Sequence, residues 1–305
     1  SSDRGDSWTR ISPDLTTDNP AFQRQAQSGG LTRDNSTAEN HATIYTIAES
    51  PLDARTIWVG TDDGHVQLTR DGGQSWTNLT GKLKGAPKGG WVSRIEASPH
   101  DAGTAFLTID DHRRGDMKPY VLVTRDYGAS FTALDLSTVE GYAWVIEQDP
   151  VQANLLYLGT EFGLYLSLDA GAHWTRFAEN LPRVAVHDLY IHPREHDLII
   201  ATHGRGIYII DDLTPLRALT PELLAQELAV LPSRPGIQTV GGALQEFGGD
   251  DEYAGQSLPD VAVINFYAQK RHMFGDSKLE VYNAANEKVT TLPVDIEPRF
   301  DFSVF

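Results

Sequence analysis

The sequence predicts an all-β chain, made of four-stranded β-propeller blades followed by a small partial β-sandwich. Three repeating features carry that prediction. The pattern Ser/Thr-x-Asp-x-Gly-x-x-aromatic occurs four times, at 1–8, 69–76, 124–131 and 167–174. A turn proline returns at Pro51, Pro99, Pro150 and Pro193, every 43–51 residues, close to the roughly 40–50 residues of a four-stranded blade. The seventh residue after each of the first three prolines is aromatic: Trp58, Phe106 and Tyr157. Unrelated features that repeat in phase mark one structural unit repeated along the chain.

Each copy of the pattern reads as a hairpin turn. The Asp side chain accepts hydrogen bonds from backbone N–H groups just ahead of it and tightens the reversal. The Gly two positions later takes positive φ without a steric cost. The aromatic then starts the outgoing strand and buries its ring between neighbouring sheets. Asp3, Asp71, Asp126 and Asp169 are therefore expected to build the fold, with Trp8, Trp76, Phe131 and Trp174 as their aromatic partners.

Taken in order, residues 1–11 hold a turn and the strand leaving it, a partial blade whose other strands are expected from preceding sequence or another chain. Residues 12–40 are polar and read as a long loop. Blades follow at about 40–80, 90–135, 141–178 and 184–217, with strands at 44–48, 57–61, 65–69 and 76–79 in the first and at matching places in the next two. The last blade has three strands, at 186–191, 198–202 and 207–210. It has no turn motif after them and is expected to take its outer strand from elsewhere. Residues 218–258 read as a short helix, with Thr220 as N-cap and Pro221 at its first position, and a Gly/Asp/Ser-rich linker. Strands at 261–268, 278–282 and 288–292 start the partial sandwich assigned to 259–305.

Composition narrows the function. The chain of 305 residues carries 42 Asp and Glu against 25 Lys and Arg, a formal charge of −17. Such a chain repels phosphate backbones and anionic membranes, which argues against nucleic-acid partners. No apolar run approaches the length of a membrane span. Cysteine is absent, so disulfides and thiolate metal sites are excluded.

The turn pattern resembles the Asp-box, or BNR repeat, of β-propeller blades. The stretches 159–165 (GTEFGLY), 202–208 (THGRGIY) and 211–217 (DDLTPLR), with Met117-Lys118-Pro119-Tyr120, resemble bacterial sortilin-like propeller proteins. The tail, with 263–267 (VINFY) and 278–282 (KLEVY), resembles the FlgD-like immunoglobulin-type domain that follows such propellers. The resemblance implies a secreted or periplasmic bacterial protein with further blades. It implies no particular reaction.

Propeller connectivity indicates where a site would lie. The Asp turns sit on one face, and the hairpins between second and third strands sit on the other, which usually carries ligands. That selects Asp62 and Asp63, the loop 110–117 with His112, Arg113 and Arg114, then Glu161, and finally His203 and Arg205. A sialidase-type Arg-Ile-Pro motif is absent. Glycoside hydrolysis needs two facing carboxylates, for which Asp62, Asp63 and Glu161 are nominees. His187, His192 and His196 come nearest to a metal set, but strand alternation separates the first two, so neither metal nor cofactor is expected. The leading expectation is a non-catalytic exported propeller that binds a peptide, protein or glycan. The alternatives are a glycoside hydrolase using carboxylates near the channel, or an architectural part of a larger secreted assembly.

Overall fold

The computed structural model describes residues 1, 3–24, 27, 41–178, 180–236, 261–270 and 276–294. Most of the expected linker, much of the polar loop before residue 41 and the end of the tail lie outside them. The chain divides into two units, Ser1–Asp211 and Asp212–Phe305.

The first unit is a partial four-blade propeller. Its sheets are β1 (Ile44–Ser50), β2 (Asp53–Thr61), β3 (Val66–Thr69) and β4 (Thr77–Asn78); then β5 (Trp91–Ala97), β6 (Ala105–Asp110), β7 (Val121–Thr124) and β8 (Thr132–Ala133); then β9 (Ala143–Gln148), β10 (Leu156–Thr160), β11 (Gly163–Ser167) and β12 (Thr175–Phe177); and last β13 (Val186–Ile191), β14 (Leu198–Thr202) and β15 (Ile207–Ile210). Every sheet is an antiparallel meander in chain order. The innermost strands β1, β5, β9 and β13 contact one another in succession around the axis.

Strand alternation sends side chains to the two faces of each blade, and both faces are apolar because each meets a neighbour. Trp58, Val66 and Leu68 of the first blade pack with Val92, Ile95, Leu107, Ile109 and Leu122 of the second. Phe106, Val121 and Val123, on the second blade's other face, pack with Ile146, Leu156, Leu158 and Tyr165 of the third. The phased aromatics Trp58, Phe106 and Tyr157 are fully buried. A ring that removes about 150–250 Å² from water stabilises by about 4–6 kcal/mol, before the entropy of ordering it.

All four Asp turns form with one bonding scheme. The Ser or Thr hydroxyl donates to the Asp at 2.7–2.8 Å and accepts from the Gly N–H. The Asp also accepts the N–H and the side chain of the residue four positions on, Ser7, Ser75, Ser130 or His173. These bonds, led by the one from the serine, hold the pKa of Asp3, Asp71 and Asp126 down at about 2. The Gly of a turn seats on the preceding blade: a Cβ on Gly128, at φ +73°, would lie 2.4 Å from Leu79 Cδ1. Phe131 and Trp174 are buried between blades.

The first copy departs from expectation. Its turn forms, but residues 8–11 make no strand and Trp8 is 81% exposed, its indole N–H donating to Gly5 O at 3.1 Å. No strand lies beside this stretch among the described residues to pair with it. Residues 11–15 instead strap the first blade. Ile11 O accepts from Trp76 Nε1 at 3.0 Å, Leu15 is buried, and Leu15 O accepts from Gln67 Nε2 at 3.0 Å.

The second unit contains α1 (Thr214–Arg217), α2 (Pro221–Leu224), β16 (Leu228–Leu231) paired with β17 (Asn265–Ala268), and a hairpin of β18 (Lys278–Tyr282) and β19 (Lys288–Pro293). Thr220 caps α2 through Leu223 N–H. The strand expected over 261–268 starts only at Asn265, where β16 gives it a partner.

Candidate functional site: the channel mouth

In a four-stranded meander the turns after the first and third strands share one end of the blade, and those after the second share the other. The second end opens on the mouth of the channel. There each innermost strand carries the same irregularity. The ladder slips between Ile44 and Thr46, Val92 and Arg94, Ala143 and Val145, and Val186 and Asp188. Each slip leaves one extra residue, a β-bulge, which re-aims its side chain. The extra residues are Tyr45, Ser93, Trp144 and His187. In the second blade Ser93 bonds Thr108 at 2.8 Å, and Trp91, two residues earlier, supplies the ring.

These rings form a continuous floor. Tyr45 meets Trp91 edge-on at 4.5 Å and Trp144 at 6.3 Å, and Trp91 lies 5.8 Å from Trp144. His187 stacks on Trp144 at 4.7 Å, and His203 follows at 4.9 Å. His112 stacks on Tyr142 at 4.4 Å. Tyr45 is 43% exposed, whereas Trp91 and Trp144 are partly covered. An open aromatic floor of this kind is unusual on a protein surface and points to a ligand.

The loop between β6 and β7 is set rigidly over one side. The buried Asp110 accepts the His112 N–H at 3.0 Å and its Nδ1–H at 2.6 Å. Arg114 donates to Asp111 and to Lys88 O. Arg113, left outward, lies over the Trp91 ring at 3.9 Å. Across the mouth, Glu161 accepts from the Tyr142 hydroxyl, and burial together with that bond pushes the phenol's pKa far up. Burial, then the neighbouring His203, pushes the His187 imidazole down. The buried atoms Trp91 Nε1 and His187 Nε2 have no hydrogen-bond partner among the described residues.

Two residues beyond Arg94, on β5, stands Glu96; Glu147 holds the same place on β9. Arg94 reaches across to Asp188 of the fourth blade at 2.6 Å. Burial, then the facing Glu147, pushes Glu96 well up, and burial lifts Glu147 to about 7.

The structure thus brings His112, Arg113, Glu161 and His203 together around the floor. It gives three other expected residues different work. Asp62 pins Thr43 through N–H and hydroxyl bonds of 2.7 and 2.9 Å. Asp63 is buried and holds Thr17 and Thr61. Arg114 braces its own loop. Arg205 is exposed on the His203 turn. Sequence reading missed Tyr45, Trp91, Tyr142, Trp144 and His187 as site residues, as well as the two channel glutamates. His192 accepts from Glu195 N–H at 3.0 Å, away from the mouth turns. Among the described residues no three His, Cys, Asp or Glu side chains are placed to share a metal ion.

No family model matches the chain. Over 94 residues it is 27% identical to an oligoxyloglucan-reducing end-specific xyloglucanase of Emericella nidulans, a match covering 31% of this chain and 11% of that protein. Among solved structures it is similar to the GH74 xyloglucanase from Xanthomonas campestris (TM-score 0.45, 17% identity, 78% of this chain and 39% of that one). It is also similar to a GH74 enzyme of Niastella koreensis (TM-score 0.44, 13% identity, 57% and 29%) and to YCF48 from Cyanidioschyzon merolae (TM-score 0.40, 15% identity, 55% and 52%). No described helix is long and apolar enough to cross a membrane.

Proposed function

We propose that this chain is a non-catalytic glycan-binding propeller, exported from a bacterium, of the sortilin-like Asp-box kind, with the channel mouth as its binding site. The floor of Tyr45, Trp91 and Trp144 carries the reading. Sugar rings present flat C–H faces that pack on aromatic side chains, and a hydroxyl or phenol rim gives them hydrogen bonds. The partial likeness to a xyloglucanase supports a sugar over a peptide. The test is calorimetry against xyloglucan and other oligosaccharides with the intact chain and with Trp144→Ala. Binding that weakens at least about tenfold, or about 1.4 kcal/mol, with an unchanged unfolding midpoint is expected. A chain that retains no glycan sinks the reading.

A glycoside hydrolase is the second reading, favoured by one observation. Glu96 and Glu147 occupy matching places on adjacent innermost strands, and Glu147, raised to about 7, exchanges its proton near neutral pH, as suits a general acid. Release of reducing ends from xyloglucan oligosaccharides that disappears in Glu147→Gln would establish it and displace the non-catalytic reading.

A further inference from the structure

We propose that the mouth selects an acidic glycan, an oligouronate whose carboxylates reach Arg113 at one end of the aromatic floor and the His187–His203 pair at the other. The inference rests on the glycan reading above and adds the ligand's charge to it.

It follows from which polar groups remain available. In a chain of formal charge −17, the acids around the floor each take a donor from the protein, the outward Asp188 from Arg94. Asp110 is buried beneath His112, and Glu161 is held by the Tyr142 hydroxyl. Neutral sugars are usually gripped by acceptors that take their hydroxyl protons, and the carboxylates here already share theirs with protein donors. Three donors or cations point outward: Arg113 over Trp91, the exposed His203, and Arg205 on the same turn. The Arg113 guanidinium has its planar fork against an indole, the arrangement in which it can pair with a carboxylate while still stacked. At the other end two imidazoles stand 4.9 Å apart, and Glu161 is the carboxylate that acts most on His187. His187 Nε2 has no partner among the described residues, and an unmet buried polar atom is a cost that a bound acceptor can relieve after a small rearrangement. A uronic-acid ring offers what this surface lacks, a carboxylate on a ring with an apolar face.

The imidazole end is also pH-dependent. The charged or titratable groups around His187 are His203 from the β14–β15 turn, Glu161 from the β10–β11 turn, and His112 with Asp110 from the β6–β7 loop. Burial and the neighbouring imidazoles favour the neutral form, so His187 gains its proton below the ordinary histidine range. A bound carboxylate favours the protonated form, and by linkage affinity rises as pH falls through and below that range.

The experiment is calorimetry of the whole chain with trigalacturonate and with fully methyl-esterified trigalacturonate, which keeps the ring and masks the charge, at about pH 5.5 and about pH 8. The acid should bind at least about tenfold tighter than its ester at the lower pH, with the preference shrinking at the higher pH. Arg113→Gln should reduce the acid-over-ester ratio at both pH values, and His187→Asn should flatten its pH dependence. Arg113 is exposed and His187 half-buried, and an unfolding midpoint matching the parent's shows that each variant folds. Equal binding of acid and ester overturns the preference for charge and leaves the glycan reading standing. Binding of neither trisaccharide, nor of any neutral oligosaccharide, overturns both.

Discussion

The two ends of the blades use the same residue types to opposite effect. At the turn end, Asp71 and Asp126 each accept three hydrogen bonds from within the turn, and Trp174 is buried between blades. At the mouth, Trp91 and Trp144 lie partly open, Trp91 Nε1 and His187 Nε2 lack partners among the described residues, and two channel carboxylates are pushed toward their neutral forms. The turn carboxylates hold their neighbours in place, whereas the open rings of the mouth leave apolar area in water that packing has not removed. Carboxylates pushed toward neutrality and open rings are what set the mouth apart, because the turn end has strained groups and, among the described residues, an unpartnered one of its own: Tyr127 and Ala170 at positive φ and the buried Trp174 Nε1.

Glycine substitution should separate the two ends most widely. Gly128→Ala imposes positive φ on a residue with a Cβ and drives that carbon into the buried Leu79, for an expected loss of about 2–4 kcal/mol. Gly115, in the mouth loop, has a similar φ of +88°, but a Cβ there would meet nothing within 4 Å, so Gly115→Ala should cost only about 1 kcal/mol. Denaturant unfolding of both variants measures the gap, and equal losses would remove the claim that the turn glycines seat one blade on the next.

Much of the fold could be read in the sequence because its signals are local. Alternation placed the strands, the Asp motif placed three outer hairpins, and the phased aromatics marked the inter-blade core. The loop residues of the site were also legible, because His112, Arg113, Glu161 and His203 sit in turns that connectivity assigns to one end. The floor was not. Tyr45, Trp144 and His187 each stand second in an innermost strand, where a ring reads as core by alternation. A one-residue bulge reverses that reading, and no residue type in these strands announces it. The signal available was positional: the second residue of three of the four innermost strands carries a ring. Residues 8–11 failed for the complementary reason. A strand needs a partner, and its own sequence does not say whether one is present.

The pH dependence of stability should differ in sign between the two ends. Glu147 has its folded pKa raised from 4.5 to about 7. Its contribution is fully present below about 4.5 and is lost as pH rises through about 7. Because Glu96 shares the same field, the pair should cost about 1–3 kcal/mol across that window. Glu147→Gln should abolish most of the decline and leave the variant more stable than the parent above neutrality. A parent whose stability is flat from about pH 4.5 to 8 would show that the channel carboxylates are better solvated than their burial implies.

The turn carboxylates should act at the other limb, and more weakly, because they are exposed to solvent. Asp71 and Asp126 are lowered from 3.8 to about 2, first by the Ser75 and Ser130 hydroxyls respectively. A depressed pKa gives stability that is present above the unfolded value and lost as pH falls through the folded one, so the window runs from about 4 down to about 2. In the double variant Asp71→Asn, Asp126→Asn the amide can still accept from the backbone but no longer carries charge. Its stability should therefore be lower than the parent's at neutral pH and should fall less steeply on acidification. Parallel acid limbs in the two proteins would mean that the turns are held by geometry alone. Converging limbs, with Glu147→Gln altering only the neutral range, would show that the charge of one blade end and the neutrality of the other are separate contributions to the same fold.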